Sequence, residues 1–265
     1  MTVGGSLVVF IVLFVFMLVF PGHIYAQNLS PQQIMNLAID QLREDEQLKK
    51  GLVYEKRYLE EDIEYKNGKL SVKKKVNEEL YEVYEDQGTW LEKLKEKNGK
   101  PVSAQDKLGP KMADQRPVIE EILGKPRYNY GFNGYSSIQE REVYSISFEP
   151  RRTEFQPEPE PGASIEAQVT NEILNNLSGI IYISTDNFSI LRIEAHLTNR
   201  TPLRIKAVGK VYIFDTTLEK MDVGGITVNH KVEILGKGAK FNIFIMELGS
   251  QFKRVTIKYE NYRLK

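Results

Sequence analysis

At 265 residues, of which 41% are hydrophobic and 27% charged, the chain has the composition of a globular protein rather than a disordered one. Its 36 basic and 36 acidic residues cancel, so no global field favours nucleic acid, and no nucleic-acid partner is expected. No cysteine occurs; a hydrophobic core must hold the fold without disulfides, and no thiol is present to accept a lipid.

The chain opens with an unbroken apolar run from Leu7 to Phe20, closed by Pro21-Gly22 and the small residue Ala26. The run is shorter than the roughly 20 residues that a spanning helix needs. It therefore reads as an export signal over residues 1–26, cleaved after Ala26. No Lys or Arg precedes the run, and Ile24 stands where a small residue is preferred, which keeps an uncleaved anchor open. The expected mature chain, 27–265, is a single domain, periplasmic, soluble and not lipidated.

Next, "NLSPQQIMNLAIDQLREDEQLKKG" predicts a helix with Ser30 as N-cap, Pro31 in first place and Gln33 closing a capping box. Ile34, Leu37, Ala38 and Leu42 recur at helical spacing, Lys49-Lys50 suit the C-terminal end, and Gly51 is placed for a left-handed cap. From Leu52 the pattern changes to long polar strands with turns at Asn67-Gly68, Gly88 and Asn98-Gly99. Leu70, Val72, Val76, Leu80 and Tyr84 are expected on one face of the second strand, and the Lys and Glu density reads as the solvated side of an antiparallel meander. Over residues 104–126 the strands break at Gly109-Pro110. There "RPVIEEILG" predicts a short helical insertion with Ile119, Ile122 and Leu123 on one face and Gly124 as its stop.

From Tyr128 onward strand follows strand. Tyr144, Ile146 and Phe148 alternate with Ser145, Ser147 and Glu149; Leu191, Ile193, Ala195 and Leu197 alternate with Arg192, Glu194 and His196. Between these two strands, residues 150–170 read as a Pro/Glu-rich loop. Pro150 ends the pairing, and "QPEPEPG" predicts a polyproline-type connector outside the ladder. In "KFNIFIMELG" both faces are apolar, Phe241, Ile243 and Ile245 on one and Phe244 and Met246 on the other, as in a strand buried on both sides. The spacing suits one large meandering sheet that curls.

Little here supports catalysis. The mature chain has only His196 and His230, no Cys, and no Ser in a Gly-x-Ser-x-Gly elbow, so no nucleophile with a base is visible. His196 falls on the polar face of its strand, while His230 is in phase with Ile226, Val228, Val232 and Ile234 and reads as a core residue. No carboxylates show metal spacing, so neither a metal nor a cofactor is expected. Glu158 and Glu160 lie in the Pro-rich loop as solvated neighbours, unlike the rigidly separated pair that glycoside hydrolysis needs. Gly224-Gly225 and "GKGAKF" read as β-turns.

The order of these parts resembles the exported bacterial proteins related to the outer-membrane lipoprotein carrier LolA, in particular a branch with a strand ending in Phe-x-Pro-Arg. Here these residues are Phe148, Pro150 and Arg151. Gly179, Tyr182 and Ile183 follow, then Asp186, then Leu191, Arg192, Ile193, Glu194 and Ala195. Where members of that branch often have Trp-Leu-Pro after a glycine turn, this chain has "VGGITVNHKVEIL". The resemblance implies an α+β, mainly β fold: a strongly curved antiparallel sheet, an incomplete β-barrel, covered by the N-terminal helix and the short helical insertion. It also implies a cavity for acyl chains. Candidate cavity residues are the in-phase apolar positions Tyr144, Ile146, Phe148, Ile181, Ile183, Leu191, Ile193, Phe241 and Ile243. Expected partners are a lipid or lipoprotein acyl chains. The alternative is an envelope-stress sensor or regulatory module that uses the same fold on an inner- or outer-membrane protein, and a monomer is expected in either case.

Overall fold

The computed structural model describes residues 29–102, 111–112, 123, 126–152, 156–158, 161–198, 202–205, 209–239, 241–243 and 246–265. The expected export signal, 1–26, lies outside the described residues. Helix α1, Pro31–Leu48, starts as its sequence dictates: the Ser30 hydroxyl accepts from the Gln33 N–H, and the Gln33 side chain accepts from the Ser30 N–H. Its end differs from the expectation. The helix tightens into a 3₁₀ turn, Lys49–Gly51, with Lys49 in the right-handed region, so Gly51 provides no left-handed cap.

The strands are β1 (Leu52–Lys66), β2 (Lys69–Asp86), β3 (Thr89–Lys97), β4 (Lys100–Pro101), β5 (Lys111–Met112), β6 (Tyr128–Ile138) and β7 (Arg141–Pro150). After helix α2, Ile165–Leu174, follow β8 (Leu177–Ser184), β9 (Ile190–Leu197), β10 (Leu203–Ile205), β11 (Gly209–Val223), β12 (Ile226–Gly238), β13 (Phe241–Ile243), β14 (Met246–Leu248) and β15 (Phe252–Leu264). All but β13 and β14 join one thirteen-stranded antiparallel sheet in the order β4-β3-β2-β1-β15-β12-β11-β9-β8-β7-β6, with β5 on β3 and β10 on β11. The sheet stays open, with β4 and β6 at its ends, and the two helices cover one face: an α+β, mainly β architecture. The turns at Asn67-Gly68, Gln87-Gly88 and Asn98-Gly99 hold both central residues at positive φ, the two-residue hairpin geometry that the sequence signalled.

Several expectations change. Within the predicted helical insertion, Lys111–Met112 is a short strand on β3 and Leu123 is a buried helical residue; apart from Pro126, the rest of 104–126 lies outside the described residues. The second covering helix is instead α2, which begins inside the segment read as a Pro/Glu-rich loop. Its signal was present: Ser164 caps the Ala167 N–H, and Ile165, Val169 and Ile173 recur at four-residue spacing. Nor does the connector stand clear of the fold. The Pro157 carbonyl accepts from the Asn171 and Asn175 side chains at 3.0 and 3.2 Å, and Gln156 donates to the Arg151 and Asn175 carbonyls.

β-Bulges account for three further corrections. Register shifts at Glu60/Glu61 and Asp62/Ile63 leave Lys73 and Val76 as extra residues of β2, so Val76 drops out of the expected face; Leu70, Val72, Leu80 and Tyr84 still share it, but the buried residues, Tyr81 and Val83, lie on the other face. At the β11–β12 shift His230 is the extra residue, which puts it out of phase with Val232 and Ile234. Leu191 is the extra residue at the β8–β9 shift, and Ile190 joins the main cluster in its place. The predicted two-faced strand "KFNIFIMELG" folds back on itself as the separate β13–β14 pair, and Gly236 and Gly238 lie inside β12 rather than in a turn.

Candidate functional site

One sheet face is apolar over most of its width and lies beneath both helices. Cross-strand register builds it: Tyr144 faces Ile183, Ile146 faces Ile181, Ile181 faces Ile193, Leu218 faces Ile193, and Val232 faces Leu218. Phe148, Ala195, Phe214, Ile234, Val255 and Ile257 extend the same cluster. Helix α1 covers it with Ile34, Met35, Ala38 and Leu42, and α2 with Val169, Ile173 and Leu174. Of the residues singled out from sequence, Tyr144, Ile146, Phe148, Ile181, Ile183 and Ile193 meet in this cluster, each at most 2% exposed. Leu191 is buried at its bulge outside the cluster. The backbone of Phe241 and Ile243 belongs to β13, which runs beside α2 off the main sheet.

Gly179 sets the spacing between β8 and β9. A Cβ there would stand 1.9 Å from the Glu194 carbonyl oxygen, a backbone atom unable to move aside. The polar groups of the apolar half gather at the C-terminal end of α2. Tyr128 donates to the Leu174 carbonyl at 2.5 Å, and the buried Arg127 guanidinium donates to Asn175, where a cation complements the helix dipole. Among the described residues a few buried polar atoms lack a hydrogen-bond partner, Ser71 Oγ, Arg192 Nε and His230 Nδ1 among them, and one lies in the apolar face. The Tyr144 hydroxyl is buried and has no hydrogen-bond partner among the described residues; burial, with Tyr135 and Glu142 nearby, pushes its pKa above the usual tyrosine value. The Tyr144 ring stacks on Phe188 at 6.1 Å and meets Tyr135 at 5.6 Å, and Phe132 and Tyr135 continue outward onto edge strand β6.

Across β1–β3 and β15 the same face changes character. Lys56, Tyr58 and Glu60 lie opposite Tyr259, Ile257 and Val255. Lys56 pairs with the buried Glu92 and stands 5.1 Å from the Tyr81 ring centroid, Lys253 pairs with Glu60 at 2.7 Å, and Lys97 pairs with Glu79 at 3.1 Å. Tyr54 gathers Trp90, Tyr259 and Tyr262 within 6.0 Å of its ring. Burial raises the pKa of Tyr54, Tyr259 and Tyr262, with further contributions from neighbouring tyrosines, Glu92 and Glu46. Sequence reasoning passed over this half because it took the Tyr, Lys and Glu alternation for a solvated face.

The structure also supplies a serine and histidine that the sequence did not pair. Ser178 and Asp215 flank His196 on adjacent strands, with Ser178 Oγ 3.3 Å from His196 Nε2; burial raises the Asp215 carboxyl and His196 opposes that shift. The trio lies on an exposed strand surface, and the neighbouring backbone N–H groups belong to the sheet ladder instead of converging on an oxyanion position. Among the described residues no group of three or more His, Cys, Asp or Glu is placed to hold a metal, and no helix is long and apolar enough to cross a membrane.

Compared with protein-family models and with curated protein sequences, the chain has no match. Solved structures are similar at low identity. A LolA superfamily protein from Nitrosomonas europaea is 10% identical over 90% of this chain and 94% of its own, with a TM-score of 0.34. A DUF1329 family protein from Desulfovibrio piger is 11% identical over 89% and 93%, also at 0.34. MucB in the MucA/MucB complex of Pseudomonas aeruginosa is 10% identical over 88% and 99%, at 0.23. At such values the likeness concerns broad architecture and says nothing about what this chain binds.

Proposed function

We propose that the protein is a non-catalytic, periplasmic carrier of a hydrophobic ligand, a lipid or the acyl chains of a lipoprotein. The observation that carries this reading is the apolar face under the two helices, with the unpartnered Tyr144 hydroxyl buried inside it. An ordinary core satisfies its buried hydroxyls; this one is left available to a ligand ester or amide. In the closed state Ile146, Ile181 and Ile183 have no exposure, so ligand enters as a helix lifts. Helix α2 suits that role, because its polar ties concentrate at the C-terminal end while its N-terminal residue Ile165 is 58% exposed. Each acyl methylene buried there contributes about 0.8 kcal/mol, enough for a chain to be held and then passed to a better acceptor.

Mass spectrometry of organic extracts from protein purified without detergent tests the reading: co-purified phospholipid or acylated peptide is expected. Tyr144→Phe is expected to keep or raise the melting temperature, since it removes an unsatisfied buried hydroxyl, while weakening capture of a fluorescent fatty acid several-fold. A chain that carries no lipid and takes up no labelled acyl chain overturns the proposal.

A regulatory module is the second reading, favoured by edge strand β6. It pairs only with β7 among the described residues and exposes Phe132 and Tyr135, which suits addition of a partner's strand. Capture of a membrane protein that is lost in Phe132→Ser with Tyr135→Ser, by an otherwise lipid-free chain, would favour it.

A further inference from the structure

The β1–β2 hairpin reaches past the sheet that carries it. On β1 the last residue paired with β15 is Ile63, so Glu64–Lys66 and Lys69–Ser71 have only each other, and on β2 pairing with β3 starts only at Glu79, so Val72–Asn77 lie on β1 with no strand on their other side among the described residues. At about 3.4 Å per residue, the tip stands roughly 10 Å beyond the end of β15. Its sequence from Glu64 to Lys75, "EYKNGKLSVKKK", holds five lysines and one acidic residue in a chain whose net charge is zero. Lys75 pairs with Glu78, but Lys66, Lys69, Lys73 and Lys74 are exposed and form no ion pair among the described residues.

The apolar residues of the tip are equally distinctive. Tyr65 lies opposite Leu70, and Ile63 opposite Val72, so these four share one face. Ile63 is buried against the body, yet Tyr65 is 68%, Leu70 45% and Val72 47% exposed. A projecting two-stranded tip with an aromatic and two aliphatic side chains on one face, and with lysines in excess over carboxylates around it, has the chemistry of the lipid–water interface. The rings and methyl groups enter the acyl boundary, while the lysine stems lie along it and keep their ammonium groups among the phosphates.

We propose that this hairpin tip docks the protein on an anionic phospholipid surface. The docking surface stands on the hairpin alone, so it and the carrier reading fail separately: one is read by vesicles, the other by lipid extracted from the core.

The chain has no cysteine, so Leu70→Cys places a single environment-sensitive fluorophore at the tip of the full chain. With vesicles of phosphatidylcholine and phosphatidylglycerol the label is expected to shift to the blue, and the shift to reverse as salt rises. Phosphatidylcholine alone should give little shift, which separates the hairpin from charge-independent insertion by the apolar N-terminal run. Lys69→Glu with Lys73→Glu should weaken vesicle binding by about tenfold or more with unchanged circular dichroism. The proposal is overturned by a label that stays in water with anionic vesicles, by equal binding to neutral ones, or by a charge-reversed variant that binds as the parent does. A label that becomes buried only against an added envelope protein also overturns it, and assigns the tip to a protein partner.

Discussion

The two halves of the covered sheet face solve the same burial problem with different chemistry. Under the helices, β6–β9 and β11–β12 present aliphatic and aromatic side chains that pack to near-zero exposure. On β1–β3 and β15, tyrosines and carboxylate–lysine pairs occupy most of the equivalent positions, some buried, as Tyr81 and Glu92 are, and others half-buried, and among the described residues α1 ends beside them. The first half is held by volume, the second by pairing. They should therefore respond to different perturbations.

The largest expected effect is at Gly179. Gly179→Ala drives a methyl into the Glu194 carbonyl and should cost more than about 4 kcal/mol in urea unfolding, enough to abolish folding of a marginal domain. Ile146→Ala, which leaves a cavity in a side chain's place beneath the helices, should cost about 2–5 kcal/mol by the same measurement.

The polar half should react to a broken pair more than to lost volume. Lys56→Met takes one ammonium from the buried Glu92 and should cost up to about 3 kcal/mol, whereas Lys56→Met with Glu92→Leu should recover most of that loss. A double variant no more stable than the single one would show that the pair contributes through packing, and would remove the contrast between the halves.

A smaller effect separates the halves by pH. Tyr54, Tyr259 and Tyr262 have raised pKa values in the fold. Their contribution is fully present below the unfolded tyrosine value of about 10 and is lost as pH rises above it, since the unfolded chain ionises first. Stability should fall from about pH 10 upward, and Tyr54→Phe should flatten the fall. Measuring melting temperature against pH for both proteins checks this; an unchanged alkaline slope would place the sensitive groups elsewhere.

Much of this architecture was legible from local chemistry. The capping box of α1, the Asn-Gly hairpins and the alternation of Tyr144, Ile146 and Phe148 each depend on a few neighbouring residues, and each stands in the structure. The differences share a cause: the Pro-Glu repeats mask the helical spacing of Ile165, Val169 and Ile173, and the alternation does not run unbroken through Val76, Leu191 and His230. A bulge adds one residue and exchanges the faces beyond it, and whether it forms depends on the partner strand.

By itself, then, the sequence determined that this is a mainly β chain with an apolar face, because side-chain periodicity and turn chemistry act within a few residues. Only the tertiary structure decided which apolar residues share that face, which helices cover it, that the Tyr144 hydroxyl has no partner among the described residues, and that the lysine-rich hairpin tip projects. Those facts depend on register between strands distant in sequence, where the pairing of one residue fixes the environment of the next.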